Sequence, residues 1–308
     1  MTHQLHIPVM LSECIEALCI KPTHTYVDAT FGRGGHSQAI LAKLTTGKLI
    51  VIDQDLDAIA AANALATQYP NLIVVHDNYS NLKAILNHHN IPCVSGILVD
   101  CGVSSVQFDE GQRGFSYRFD APLDMRMNQT QSLSAYDIVN TASPTELFHI
   151  LIHYGEETNA KMIVRGIVRA RSNKPIATTF ELVDVIKASL PAKVLKKVGH
   201  PAKQTFQALR IAVNQELDHL QRFLVDATDV LCPQGVLVAL TFHSLEDRAV
   251  KHHFKALSTP PKTNKRLPLS PVTLAYRVEG KQPYVASAEE LAINPRSKSA
   301  KLRSIVKV

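Results

Sequence analysis

No stretch of the 308-residue chain approaches the roughly twenty consecutive apolar residues of a membrane-spanning helix. No basic segment followed by an apolar leader opens it. The expectation is therefore a soluble, non-secreted, cytoplasmic protein with no membrane partner. Five cysteines, Cys14, Cys19, Cys93, Cys101 and Cys232, include no Cys-x-x-Cys pair. That spacing suggests neither a zinc site nor a disulfide framework, so no metal is expected and the thiols read as buried and reduced. No internal repeat is found. A dinucleotide fingerprint is also incomplete: in Gly32-Arg33-Gly34-Gly35-His36-Ser37 the third glycine position is Ser37.

What is present is an alternation of strand and helix over the first hundred residues. Thr25-Tyr26-Val27-Asp28 reads as a strand, breaks into the glycine turn, and continues into a helix through Leu44. Glycines there let the backbone turn sharply and come close to a ligand. A second apolar strand ends at Asp53, where a carboxylate commonly holds ribose hydroxyls. A third ends before Asp77-Asn78-Tyr79 and a fourth at Asp100. The spacing predicts βαβ units and a parallel sheet. Gly34, Gly35, His36, Asp53, Tyr79 and Asp100 all follow carboxyl ends of strands, where open parallel sheets bind ligands.

The pattern stops between about residues 106 and 203, where loops and helices replace strands. It resumes in Gly235–Phe242, so a helical domain is inserted. The expected division is 1–105, 106–203 and 204–308. Phe206, Leu209, Val213, Leu217, Leu220 and Leu224 keep helical spacing and read as core over Thr205–Leu224.

Net charge is +6, with an isoelectric point near 9.0, and the excess is clustered. Residues 160–203 carry ten Lys/Arg against Glu181 and Asp184, and residues 251–308 carry twelve against three Glu. Clusters of this kind suit a polyanion such as nucleic acid. Lys161, Arg165 and Arg169 recur every four residues, which places them in one stripe on a helix.

Long segments resemble the ribosomal RNA small subunit methyltransferase H family, of MraW type. They include His6-Ile7-Pro8-Val9-Met10, Asp28-Ala29-Thr30-Phe31-Gly32-Arg33-Gly34-Gly35-His36-Ser37 and Asp100-Cys101-Gly102-Val103-Ser104-Ser105. Pro122-Leu123-Asp124-Met125-Arg126-Met127, Tyr154-Gly155-Glu156-Glu157 and Phe242-His243-Ser244-Leu245-Glu246-Asp247-Arg248 follow in family order. The resemblance implies a class I Rossmann-like S-adenosylmethionine-dependent α/β methyltransferase with an inserted helical domain. Its substrate would be the N4 amine of a cytidine in the decoding region of 16S rRNA, free or within the small ribosomal subunit. Carried over, the cofactor contacts are Gly34, Gly35, His36, Asp53, Tyr79, Asp100 and Gln107, the last from the resemblance alone. Cys101, Ala121 and Lys298 depart from the family pattern and touch none of these.

Asp100 is the preferred acceptor for the reacting amine, and His243 either approaches the substrate base or orders a turn. Lys161, Arg165 and Arg169 are the candidate RNA-backbone contacts. Two rival readings remain open. One is an NAD-dependent oxidoreductase of Rossmann type, and the other is a non-catalytic RNA-binding assembly factor.

Overall fold

The structure, a computed structural model, describes residues 7–102, 111–260 and 273–308. Its strands are β1 (Tyr26–Asp28), β2 (Leu49–Asp53), β3 (Leu72–His76), β4 (Val94–Asp100), β5 (Leu231–Thr241), β6 (Tyr276–Arg277), β7 (Tyr284–Val285) and β8 (Lys301–Lys307). They form one sheet in the order β3-β2-β1-β4-β5-β8-β6, with β7 also paired to β8. The five strands from β3 to β5 pair in parallel. β8 runs antiparallel to β5.

The near-continuous apolar strands follow from burial on both faces of a parallel sheet. Side chains alternate between the faces. Tyr26, Leu49, Val51, Leu98 and Val238 enter one core, and Val27, Ile50, Ile97, Val99 and Leu237 enter the other. The helices Gly35–Leu41, Leu56–Ala66 and Leu82–His88 lie in the connections between successive parallel strands. Asp55 starts the second of these by accepting from the Asp57 amide at 3.1 Å, the usual way an acidic cap satisfies a helix's first free N–H groups.

The chain divides into two units, Met1–Gly102 with Leu217–Val308, and Val103–Glu216. The second unit is helical. Its helices Ala135–Thr141, Pro144–Gly155 and Thr179–Ser189 each begin on a capping box, from Ser134, Ser143 and Thr178 respectively. Its core collects Leu147, Leu151, Ile163, Ile167, Leu182, Ile186, Phe206 and Leu209. The helix Ala160–Arg171 approaches Thr179–Ser189 closely at Gly166, where an added Cβ would fall 1.8 Å from Ser189 Oγ.

Three sequence expectations are corrected. The helical spacing over Thr205–Leu224 belongs to two helices, Lys203–Asn214 and Glu216–Asp229. Gln215 between them adopts a left-handed conformation, φ 49°, and its amide closes the first helix on Ile211 O. The return to the first unit accordingly falls at Leu217 rather than at residue 204. Phe206, Leu209 and Val213 bury themselves in the second unit's core. Finally, Cys93 and Cys232 are joined in a disulfide, where reduced thiols were expected. The β4–β5 pairing, with Val94 opposite Leu231, brings together two cysteines that are remote in sequence.

Candidate active site

The candidate site is built from the carboxyl ends of neighbouring strands in the first unit. β1 ends on Asp28, whose carboxylate is fully buried. It accepts from Ser37 Oγ at 2.5 Å and from the Thr30 amide at 3.2 Å. Burial pushes its pKa up to about 6, against the opposing pull of the Ser37 hydroxyl. The turn then passes Gly34, which has a left-handed φ of 76° that glycine adopts without a Cβ penalty. Gly35 begins the next helix with Pro8 packed over it, and an added Cβ would meet Pro8 Cγ at 2.2 Å. The buried His36 ring places Nε2 3.2 Å from Val9 O. Thus the Pro8-Val9 segment braces the glycine turn, which gives part of the N-terminal motif a structural task.

Asp53 ends β2. Its Oδ2 accepts from the Gly32 amide at 2.8 Å and its Oδ1 from the Asp55 amide at 2.9 Å. Burial raises its pKa, and those amides oppose the rise. Gly32, also left-handed at φ 54°, borders open space, because an added Cβ would meet nothing within 4 Å. Tyr79 follows β3, half-buried and edge-on to Phe223 at 5.1 Å between ring centroids.

Asp100 ends β4. Its amide donates to Thr30 Oγ1 at 2.7 Å, and its Oδ1 accepts from the Gly102 amide at 2.8 Å. Burial raises its pKa. Attraction to His36 and the Gly102 amide oppose this, and repulsion from Glu246 adds to it. Hydrogen bonds from Ser37 through Asp28 and Thr30 to Asp100 therefore join the ends of β1 and β4. Thr30 and Ser37, the links of this chain, carry no signal of that role in the sequence. Their spacing from Asp28 is legible only once the turn is folded.

β5 contributes the next group. The Phe242 ring lies beside Gly102, where an added Cβ would meet Phe242 Cε2 at 2.9 Å and Asp100 Oδ1 at 2.8 Å. His243 caps the helix Ser244–Ser258, its Nδ1 accepting from the Glu246 amide at 3.4 Å. Glu246 in turn accepts from the Phe242 and His243 amides at 2.8 and 3.2 Å. His243 Nε2 lies 2.8 Å from Glu246 Oε1 without the alignment of a hydrogen bond. It is a buried nitrogen with no hydrogen-bond partner among the described residues. With Nδ1 accepting, Nε2 carries the proton and acts as a donor.

The structure thus gathers Gly34, Gly35, His36, Asp53, Asp100 and His243 at strand ends, with Tyr79 in the same row. Gln107 lies outside the described residues. Lys161, Arg165 and Arg169 belong to the second unit, all exposed on the helix Ala160–Arg171, with no ion pair among the described residues. The C-terminal basic segment differs. Arg303 and Lys301 bind Asp247 at 2.7 and 3.1 Å, and Lys307 donates to the carbonyls of Asp229 and Leu231.

The parallel β3-β2-β1-β4-β5 core, with a glycine turn after β1 and carboxylates closing β2 and β4, is Rossmann-like, and the family match makes the protein a class I Rossmann-like methyltransferase. Its cofactor is S-adenosylmethionine. The chain belongs to the MraW methylase family, whose sequence profile matches residues 3–308. It is 49% identical over 306 residues to the ribosomal RNA small subunit methyltransferase H of Clostridium botulinum (strain Kyoto / Type A2), covering 98% of this chain and 99% of that protein. The protein of the same name from Leuconostoc mesenteroides subsp. mesenteroides is 48% identical over 308 residues, covering 97% and 98%. Among solved structures, a putative rRNA methylase from Clostridium thermocellum matches with TM-score 0.45 and 12% identity, covering 99% of this chain and 100% of that one.

The residues present fit the cofactor. A carboxylate at Asp53 stands next to a glycine turn that borders open space, which suits a ligand bearing ribose hydroxyls.

Proposed function

We propose that the protein methylates the N4 amine of a cytidine in the decoding region of 16S rRNA, taking the methyl from S-adenosylmethionine. Support comes from the family membership and from the small-subunit rRNA methyltransferases it resembles at 48–49% identity. The carrying observation is that Asp100 and His243 both stand at the carboxyl ends of the adjacent parallel strands β4 and β5.

The exocyclic amine of cytosine is a weak nucleophile, because its lone pair is delocalised into the ring. Bound S-adenosylmethionine supplies a methyl group already made electrophilic by its sulfonium. The chain must therefore hold the base in line and accept hydrogen bonds from the amine as it gains positive charge. Asp100 is the acceptor. Its Oδ1 is engaged by Gly102, and Oδ2 has no partner among the described residues. The Thr30 contact fixes the backbone that carries it. His243 is a donor at Nε2, suited to an acceptor atom on the base rather than to taking the amine proton. Asp53 accepts from ribose hydroxyls, Tyr79 contacts the adenine, and Gly34, Gly35 and His36 form the turn against the cofactor, with Gln107 as a further contact. Lys161, Arg165 and Arg169 bind phosphates, and the base reaches the site splayed out of its stack.

Methyl transfer to 16S rRNA and to small subunits, followed by nucleoside mass spectrometry, tests this reading. N4-methylcytidine is the expected product, and a methyl on a ring carbon or a ribose would refute the assignment. Asp100→Asn should lower single-turnover rate at least about a hundredfold while changing cofactor affinity only a few-fold, because its interaction strengthens in the transition state. Equal losses in both would reduce Asp100 to a cofactor contact.

A further inference from the structure

The second unit carries an aromatic and basic rim that the proposed chemistry does not use. Residues 119–123 run antiparallel to 177–180. Thr179 Oγ1 donates to Phe119 O at 2.6 Å, the Thr179 amide to Ala121 O at 2.9 Å, and the Phe180 amide to Asp120 Oδ1 at 3.3 Å. This holds the backbones of Phe119 and Phe180 side by side. Both side chains face water, at 48% and 43% exposure. Burying the two rings would contribute to the core, whereas two exposed phenylalanines on neighbouring backbone segments lose that gain. Isolated apolar side chains on a surface are ordinary, but a cluster marks a contact site.

The neighbours of this pair are cationic. Tyr117 stacks face to face on His200, with centroids 4.2 Å apart and planes 4° from parallel. Burial lowers the His200 pKa, and Lys187 and Arg118 lower it further by repulsion, so both cations lie close to the stack. Lys187 is seven residues beyond Phe180 on the helix Thr179–Ser189, which returns it to the same face two turns on. Arg118 and Lys187 are exposed. From residue 185 to residue 215 the chain contains no Asp or Glu, and four more exposed lysines lie between Lys193 and Lys203. Two exposed acids, Asp120 and Asp184, lie on this rim, and Asp120 has its Oδ1 turned to the Phe180 amide, against six exposed cations in Arg118, Lys187, Lys193, Lys196, Lys197 and Lys203.

We infer that Phe119 and Phe180 form a stacking platform for single-stranded RNA, flanked by Arg118, Lys187 and the Tyr117–His200 stack as phosphate and base contacts. The inference deepens the proposed rRNA substrate and rests on that reading. Aromatic faces stack any base, and cations beside them track the backbone, which is the general design of single-strand binding surfaces. Charge decides the occupant, because a rim continuous with an acid-free run of lysines fits a polyanion better than an apolar protein surface.

The test measures binding of a single-stranded 16S decoding-region fragment and of intact small subunits. It compares the full-length protein with Phe119→Ala/Phe180→Ala and with Phe119→Tyr/Phe180→Tyr. Circular dichroism and thermal melting control for folding. The alanine pair should weaken fragment binding by roughly 10–100-fold with an unchanged salt slope, and the tyrosine pair should restore it to within about threefold. A 2-aminopurine placed in the fragment should be quenched by the wild type and by the tyrosine pair only. Wild-type binding matched by the alanine pair would overturn the platform and leave the rRNA reading standing. Weakening on subunits but not on the naked fragment would also overturn it, assigning the rim to a ribosomal protein. Failure of the wild type itself to bind or methylate RNA would remove the underlying reading.

Discussion

On the helix Ala160–Arg171, Lys161, Arg165 and Arg169 stand in water with no ion-pair partner among the described residues. On β8, Arg303 is buried and bound to Asp247, and Lys301 joins the same carboxylate. By composition the two regions are alike, each a surplus of Lys and Arg. By structure one has its charge available to a ligand, and the other has part of it committed to tying β8 to the helix Ser244–Ser258. Clustered positive charge in a sequence is therefore ambiguous until its carboxylate partners are located.

The comparison breaks most sharply at Arg303. Removing one partner of a buried, hydrogen-bonded pair leaves the other uncompensated, so Arg303→Met should cost about 3 kcal/mol of stability. Denaturant unfolding checks this, and a loss below about 1 kcal/mol would mean that Lys301 alone satisfies Asp247. Adding Asp247→Leu should recover most of the loss, since a matched apolar pair of similar volume is often neutral. Neither variant should alter the salt dependence of RNA binding.

The opposite behaviour is expected on the exposed helix. Replacing Lys161, Arg165 and Arg169 together with Gln should lower the log–log salt slope of RNA binding by about 0.7–0.9 for each phosphate that the variant no longer neutralises. Stability should stay within about 0.5 kcal/mol of the wild type, as for surface substitutions generally. An unchanged slope across a salt titration would assign the stripe to solvent alone.

The smallest effect is one of pH. Burial pushes the Asp247 carboxyl up, but Arg303 and Lys301 outweigh it and hold the group below the usual range. Its folded pKa thus lies below its unfolded value of about 3.9. The contribution is complete above that value and is lost as pH falls through the folded pKa. Unfolding midpoints followed downward from about pH 5 should fall less steeply for Asp247→Asn than for the wild type, and parallel curves would sink the assignment.

The same distinction explains what could be read from the sequence. β1 to β5 are legible because each is an apolar run that stops at Asp28, Asp53, His76, Asp100 or Thr241, where the sheet presents its crevice. The rows of apolar residues encode burial on two faces, and the polar stops encode the site. β8 is not legible, since Lys301-Leu302-Arg303-Ser304-Ile305-Val306-Lys307 buries an arginine and a serine together with its aliphatics. The helix break at Gln215 is hidden because apolar spacing continues across it, from Val213 to Leu217 and Leu220. In the candidate site, the strand-end positions of Asp53 and Asp100 could be read from the sequence, and β2 and β4 do end on them. The donor state of His243 could not, because it depends on a helix cap formed with the Glu246 amide.

The Cys93–Cys232 bond, with Cα atoms 5.1 Å apart and a sequence separation of 139, turns the intervening chain into a covalent ring. The whole of Val103–Glu216 lies within that ring. A protease that cuts once between the two cysteines therefore opens the ring without releasing a fragment. Denatured without reductant, the nicked protein migrates as one molecule; with reductant it falls into two. Clipping of the helical unit would thus pass unseen on a non-reducing gel.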